Sequence, residues 1–277
     1  MQHWYTELAQ SGRRASGQAR DDAQALQQAI AARPELRALA RLPLLLTVMA
    51  LVHTNKGTLP DARALLYAEC IEILLLRWRQ QRGERDLLTR LALPQFRSSD
   101  LLALMARLGF AAHELAERSR DAAGRPADLS ESAVVQVLAE GFAPHDPARK
   151  HALAELVLNT LTQGNGLLLK RGPAVYAFPH RTFQEFLAGY HLLRQPNTLR
   201  LCLERSAQAH WHEALLLMAG YQMLAGGEFD KPLSLVEKLL ERTPDEQVLA
   251  GDLLTLMGRE RVAGYDPALL DSGGLWR

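Results

Sequence analysis

At 277 residues the chain exceeds one ordinary domain of about 100–200 residues, so two domains or one large helical body is expected. Hydrophobic residues at 48% and charged residues at 23% exclude intrinsic disorder as the main state. Lys+Arg 32 against Asp+Glu 31 leaves a formal charge of +1, so no whole-chain field draws the protein to nucleic acid or anionic lipid. Aromatics at 6%, with abundant Leu, Ala, Gln, Glu and Arg, favour helix over strand and make the fold class mainly α. The cations are scattered and lopsided, 27 Arg to 5 Lys, as codon bias in a GC-rich bacterial genome would leave them. Cys70 and Cys202 form no C-x-x-C pair, which fits a reducing cytoplasm better than a disulfide or zinc framework. Met1-Gln2-His3-Trp4 lacks the basic and apolar regions of a signal peptide. The longest apolar run, Leu42 to Val52, is about half of the roughly 20 residues a membrane span needs. A cytoplasmic protein with no membrane partner is expected.

In chain order, a helical patch at Trp4–Ala9 precedes a polar stretch, and helical signal resumes at Asp21–Ala32. Pro34 opens another helix, and Leu42–Val52, apolar on every face, predicts a helix buried all round. Gly57 suits a left-handed cap, and Thr58-Leu59-Pro60-Asp61 reads as the start of the next helix. That helix places Tyr67, Ile71, Leu74, Leu75 and Trp78 on one face. After a polar break at Gln80–Asp86 and Pro94, Ser98-Ser99 starts a helix with the stripe Leu101, Leu104, Met105, Leu108 and Phe110. Asp128-Leu129-Ser130-Glu131, an N-cap with an acidic third residue, begins a second, and Leu153–Leu161 forms a third. Two apolar runs, Leu167–Leu169 and Val175–Phe178, are joined by Lys170-Arg171-Gly172-Pro173, whose residues suit a β-hairpin turn. Thr182-Phe183-Gln184-Glu185 reads as a capping box for a helix burying Phe183, Phe186, Leu187, Tyr190 and Leu193. Three helices followed by a hairpin are a winged-helix pattern, and beyond Pro196 the chain is helical, with no convincing repeat.

Catalytic motifs are missing. Gly-Lys never occurs, so there is no G-x-x-x-x-G-K-[ST] phosphate loop, and no G-x-S-x-G elbow is found. His113-Glu114 and His212-Glu213 each begin like a helical zinc site. Glu117 and Leu216 stand where the second histidine would be. The chain is therefore not expected to be an enzyme. His212-Glu213 reads as a solvated pair beside a buried Trp211.

Two segments carry a family resemblance. Arg41-Leu42-Pro43-Leu44-Leu45-Leu46-Thr47-Val48-Met49-Ala50-Leu51, with Gly57-Thr58-Leu59-Pro60-Asp61-Ala62-Arg63 after it, resembles the helical region behind the nucleotide-binding core of NACHT proteins. Tyr176-Ala177-Phe178-Pro179-His180-Arg181-Thr182-Phe183-Gln184-Glu185-Phe186-Leu187-Ala188 resembles their winged-helix signature. These are STAND-class signalling NTPases, and the likeness covers roughly residues 1–195. It implies a helical domain over 1–84, a winged-helix domain over 85–196 and the start of a second helical domain over 197–277.

The same resemblance implies a role as the regulatory, non-catalytic part of a nucleotide switch, in which the winged helix closes over ADP. It assigns His180 to the β-phosphate and Pro43 to the neighbourhood of the adenine. The family's P-loop, acidic metal-binding strand and sensor arginine would all precede the first residue. The chain is thus expected to be a gene fragment or a split subunit. It would bind no cofactor alone, and would meet ADP or ATP when a P-loop domain is supplied. Expected partners are a nucleotide-binding domain of the same family or a second copy of the chain. Defence against phage or stress is a further family-level expectation.

The alternative is a nucleic-acid-binding winged helix. It needs a basic third helix and a basic wing. The third helix carries Glu155 and no Lys or Arg beyond Lys150, and the wing offers Lys170 and Arg171, too few cations for phosphate-driven affinity.

Overall fold

A computed structural model describes residues 16–41, 43–60, 62–77, 86–118, 127–162, 167–266 and 269. The expected Trp4–Ala9 helix, Asp61 and Trp78 lie outside them. Two compact units are present, residues 1–73 and 74–277.

In the first unit, helices α1 (Ser16–Ala31), α2 (Pro34–Leu39), α3 (Pro43–Lys56) and α4 (Arg63–Glu72) surround a small core. Leu45, Val48, Met49, Ala50, Leu51 and Val52 of α3 are all buried, as its apolar run predicts, although Thr47 reaches solvent. Gly57 ends α3 with φ at 77°, a left-handed conformation that costs a glycine little. The next helix begins later than expected. Ala62, not Thr58, occupies the cap, and no side chain caps it. The carbonyls of Leu59 and Pro60, just before the helix, accept from Arg33 Nη1 at 3.3 and 2.8 Å. Lys56 pairs with Glu69 across the turn. Tyr67 and Ile71 are fully buried on the predicted face of α4.

The second unit opens with a turn of π-helix and a short helix, α5 (Leu87–Leu91), followed by α6 (Ser98–Arg118). Strand β1 (Leu129–Ser130) leads into α7 (Glu131–Phe142), then α8 (Lys150–Thr160), β2 (Leu169–Gly172) and β3 (Val175–Ala177). The strands form one antiparallel sheet in the order β1-β3-β2, with Leu129 opposite Tyr176 and Lys170 opposite Tyr176 on the other side. The expected hairpin is therefore the larger part of a three-stranded wing. Its turn is tighter than the sequence suggests. Lys170, Arg171 and Gly172 lie in the strand, and only Pro173 and Ala174 turn, with Ala174 held at φ 54°. The N-cap of α7 is likewise Ser130 rather than Asp128. Ser130 Oγ accepts from Ala133 N at 3.2 Å, and Asp128 faces Arg171 at 3.4 Å.

After the wing comes α9 (Arg181–Leu193), buried without a break from Phe183 to Tyr190. Further helices follow: α10 (Thr198–Arg205), a 3-10 turn at Ala209–Trp211, α11 (His212–Ala225), α12 (Asp230–Leu240), α13 (Pro244–Met257) and α14 (Arg259–Tyr265). Alpha-9 is the spine. At Gly109 of α6 an added Cβ would lie 2.4 Å from Leu187 Cβ, and at Gly189 of α9 it would lie 2.4 Å from the Ala214 carbonyl oxygen. Helices come this close only where the side chain is a hydrogen. Helices α6 and α11 thus both pack on one central helix. No described helix is long and apolar enough to cross a membrane.

Candidate functional site

His180 sits where the wing ends and α9 begins. Phe178, fully buried, anchors the exit from β3, and Pro179 fixes the next φ. The chain is still extended at His180 (φ −145°, ψ 146°), and helical geometry starts at Arg181. The first cap is therefore His180 itself, not Thr182. Its Nδ1 accepts from Thr182 N at 3.2 Å and lies 2.8 Å from Thr182 Oγ1. Glu185 does not complete a capping box. It takes Arg181 Nε at 2.7 Å and is almost wholly buried.

This local chemistry sets the state of the ring. Partial burial pushes the His180 pKa below its ordinary value, so the imidazole is neutral at pH 7. A nitrogen that accepts from a backbone N–H carries no proton, so the proton is on Nε2. His180 therefore presents a single N–H donor beside the first turn of a helix, where the helix dipole favours an anion.

Pro43 opens α3 as a first-turn proline, in the first unit, and its side chain lies outside the described residues. His180 belongs to the second unit.

Behind His180 is a buried chain of hydrogen bonds that the sequence did not suggest. Gln184 Oε1 accepts from Ala127 N at 3.0 Å, just before β1. Gln184 Nε2 donates to His113 Nδ1 at 3.1 Å, and His113 Nε2 lies 3.1 Å from the His210 carbonyl, to which it donates. Trp211 stands edge-on to the His113 ring at 4.4 Å. Burial first, then His210 and Arg181, push the His113 pKa down to about 4, so this ring is neutral as well. His113 thus spends both nitrogens on structure. The Gln of the Phe-Gln-Glu-Phe motif was the available clue, since a polar side chain amid buried ones needs partners. His212 bonds Asp252 at 3.1 Å, and Trp211 is buried. Phe110 is half-buried rather than core, held between the His191 ring at 4.6 Å and the Arg205 guanidinium at 5.1 Å.

The surfaces a nucleic acid would use are poorly charged. Alpha-8 exposes His151, Ala152, Glu155 and Asn159, and of the exposed wing cations Arg171 is engaged by Asp128.

Comparison with family models finds a match. Residues 63–192, just under half the chain, match the winged helix-turn-helix domain C-terminal to NACHT. Among curated proteins and solved structures, none matches.

Proposed function

Residues 63–192 belong to the winged helix-turn-helix family that lies C-terminal to NACHT, and from that premise we propose that this chain is a conformational switch module working against a NACHT nucleotide-binding domain. His180 donates its Nε2–H to a phosphate oxygen of ADP held by the P-loop of that domain. Closure over ADP is the resting state, and loss of the contact releases the winged helix, an order of events typical of hinge switches. The chain itself carries out no bond-breaking step. Its partners are the nucleotide-binding domain and, on release, other copies of the assembly.

One observation carries the reading: the N-cap use of His180 Nδ1, which leaves a neutral Nε2–H donor at a helix start. A neutral donor suits a switch, because nucleotide exchange need not break a full ion pair. The second unit supports the mechanics, since close helix crossings at Gly109 and Gly189 join α6 to α11 through α9, the helix that His180 caps. Pro43 enters through the family likeness and its helix-start position alone.

The test is ADP binding by the full chain, alone and mixed with a P-loop NACHT domain. The expected result is no measurable binding by the chain alone and slower ADP release from the mixture. His180→Ala should weaken the retention about tenfold, the size of one hydrogen bond to a charged group. Retention unchanged by His180→Ala would overturn the assignment.

A further inference from the structure

The end of α9 opposite His180 borders a second feature. His191 lies eleven residues on, about 16 Å along the helix. There an open cleft of about 520 Å³ runs between α6, α7 and the last turn of α9. Its apolar lining is Ala103, Ala111, Val137 and Phe110, and its polar lining is Arg107, Arg194, His191, Gln195 and Glu140.

We propose that this cleft is a docking site for an acidic peptide segment of a partner protein, with one carboxylate held by Arg194 and Arg107 and an aliphatic neighbour resting on Ala103, Ala111 and Val137.

Charge and shape argue for that occupant. Arg194 has no hydrogen-bond or ion-pair partner for its guanidinium among the described residues. Arg107 is half engaged, with Nη2 at 3.2 Å from Glu140, in a pair open to solvent. Arg205 stands behind Phe110 and is already neutralised by Glu114 at 3.0 Å. Counting Arg107, Arg194 and Glu140, the cleft carries one uncompensated positive charge, which matches one carboxylate and not a di- or trianionic phosphate.

His191 adds a neutral donor. Gln195 Nε2 lies 3.2 Å from His191 Nε2, so that nitrogen accepts and the proton sits on Nδ1. Burial first, and then the cations Arg107, Arg205 and Arg194, push the His191 pKa down to about 4, so the ring is neutral at pH 7. The carbonyls that end α9 are already occupied, those of Leu192 and Leu193 by Thr198 Oγ1 and that of His191 by Gln195, so side chains govern the chemistry.

A nucleotide fits worse. The only aromatic ring in the lining besides His191 is Phe110, which His191 at 4.6 Å and the Arg205 guanidinium at 5.1 Å already contact, so a base would compete with both for it. Small alanine and valine side chains on helices α6 and α7 suit the Cα trace and short stem of a peptide residue instead.

The proposal stands independently of the nucleotide reading. Its test is fluorescence anisotropy of the full chain with a fluorescein-labelled Glu-Leu-Ala repeat peptide, against the same peptide with Gln for Glu. The Glu peptide should bind, the Gln peptide should not, and added salt should weaken binding. Arg194→Glu should reduce affinity at least about tenfold and Arg107→Ala less, because Arg107 shares its charge with Glu140. His180→Ala, at the other end of α9, should change nothing, which separates this site from the switch. Equal binding of the two peptides, indifference to Arg194→Glu, or displacement of the peptide by inorganic phosphate or ADP would overturn it. Arg194 is exposed, so its variants should melt with the parent protein.

Discussion

Helices α8 and α9 flank the wing in the chain, and they spend their surfaces differently. Alpha-8 alternates, with Leu153, Ala154, Val157 and Leu158 buried and His151, Ala152, Glu155 and Asn159 in solvent. Alpha-9 is covered from Phe183 to Tyr190, against α6 on one side and α11 on another. A winged helix that reads nucleic acid works through an exposed, basic helix. Here the exposed helix is nearly uncharged, and the densely packed helix begins at His180, the histidine proposed to meet a phosphate. On the proposed reading, the working parts of this unit are the two ends of α9, and its middle is a mechanical link.

The largest effect should come from breaking that link. Gly189→Ala would put a methyl group 2.4 Å from the Ala214 carbonyl oxygen, a backbone atom that cannot swing aside. A loss of about 3 kcal/mol is expected, read as a lower denaturation midpoint. A neutral result would mean that α9 and α11 are not held at this spacing.

Acid should loosen the same region. The His113 pKa is lowered from an ordinary 6.5 to about 4 in the fold, so the unfolded chain binds a proton more readily. Stability from this group is complete above pH ~6.5 and is lost as pH falls toward 4, by roughly 2–3 kcal/mol. His113→Gln should flatten much of that slope in urea titrations at stepped pH. The part that remains is shared by His191 and His180, whose pKa values are also depressed by burial, and at its acid end by carboxylates such as Asp146, held low by Arg149. If His113→Gln keeps the full slope, the buried hydrogen-bond chain through Gln184 is not closed as described.

The wing turn should respond in the opposite direction. Ala174 is held at φ 54°, where an L side chain is strained, and it follows Pro173 in a two-residue turn. Ala174→Gly should raise stability by up to ~1 kcal/mol, relief of strain outweighing the added freedom of the unfolded chain. A fall in stability would show that the turn is unstrained.

Alpha-8 supplies the smallest effect. Glu155→Lys, on its exposed face, should move stability by no more than about 0.5 kcal/mol. Salt-dependent DNA retention by the parent chain, lost with Lys170→Ala and Arg171→Ala together, would reverse the contrast between the two helices.

Much of this fold is legible in the residues because the relevant signals are local. The stripe of α6, the buried run of α3, the glycine ending it and the dense apolar face of α9 all follow from spacing and composition. Strand β1 is not legible, since two residues make a strand only by pairing with Tyr176 and Val175, almost fifty positions on. The late start of α4 accompanies a contact from Arg33 to two carbonyls more than twenty residues away. At the candidate site, His180 is legible as a residue but not as a cap. The Thr-x-x-Glu spacing pointed to Thr182, whereas Arg181 captures Glu185 and the histidine ring takes the amide. The Gln184–His113 link needs three elements brought together, and no single stretch of sequence contains it.

The most direct test of the account is the protonation state of the His180 ring, measured by nitrogen NMR on the ¹⁵N-histidine-labelled full chain at pH 7. The account predicts a neutral ring protonated on Nε2, with that N–H signal shifting when ADP and a P-loop NACHT domain are added together and staying put when ADP is added alone. A charged ring, a proton on Nδ1, or an Nε2–H signal indifferent to the ADP-loaded domain would contradict it.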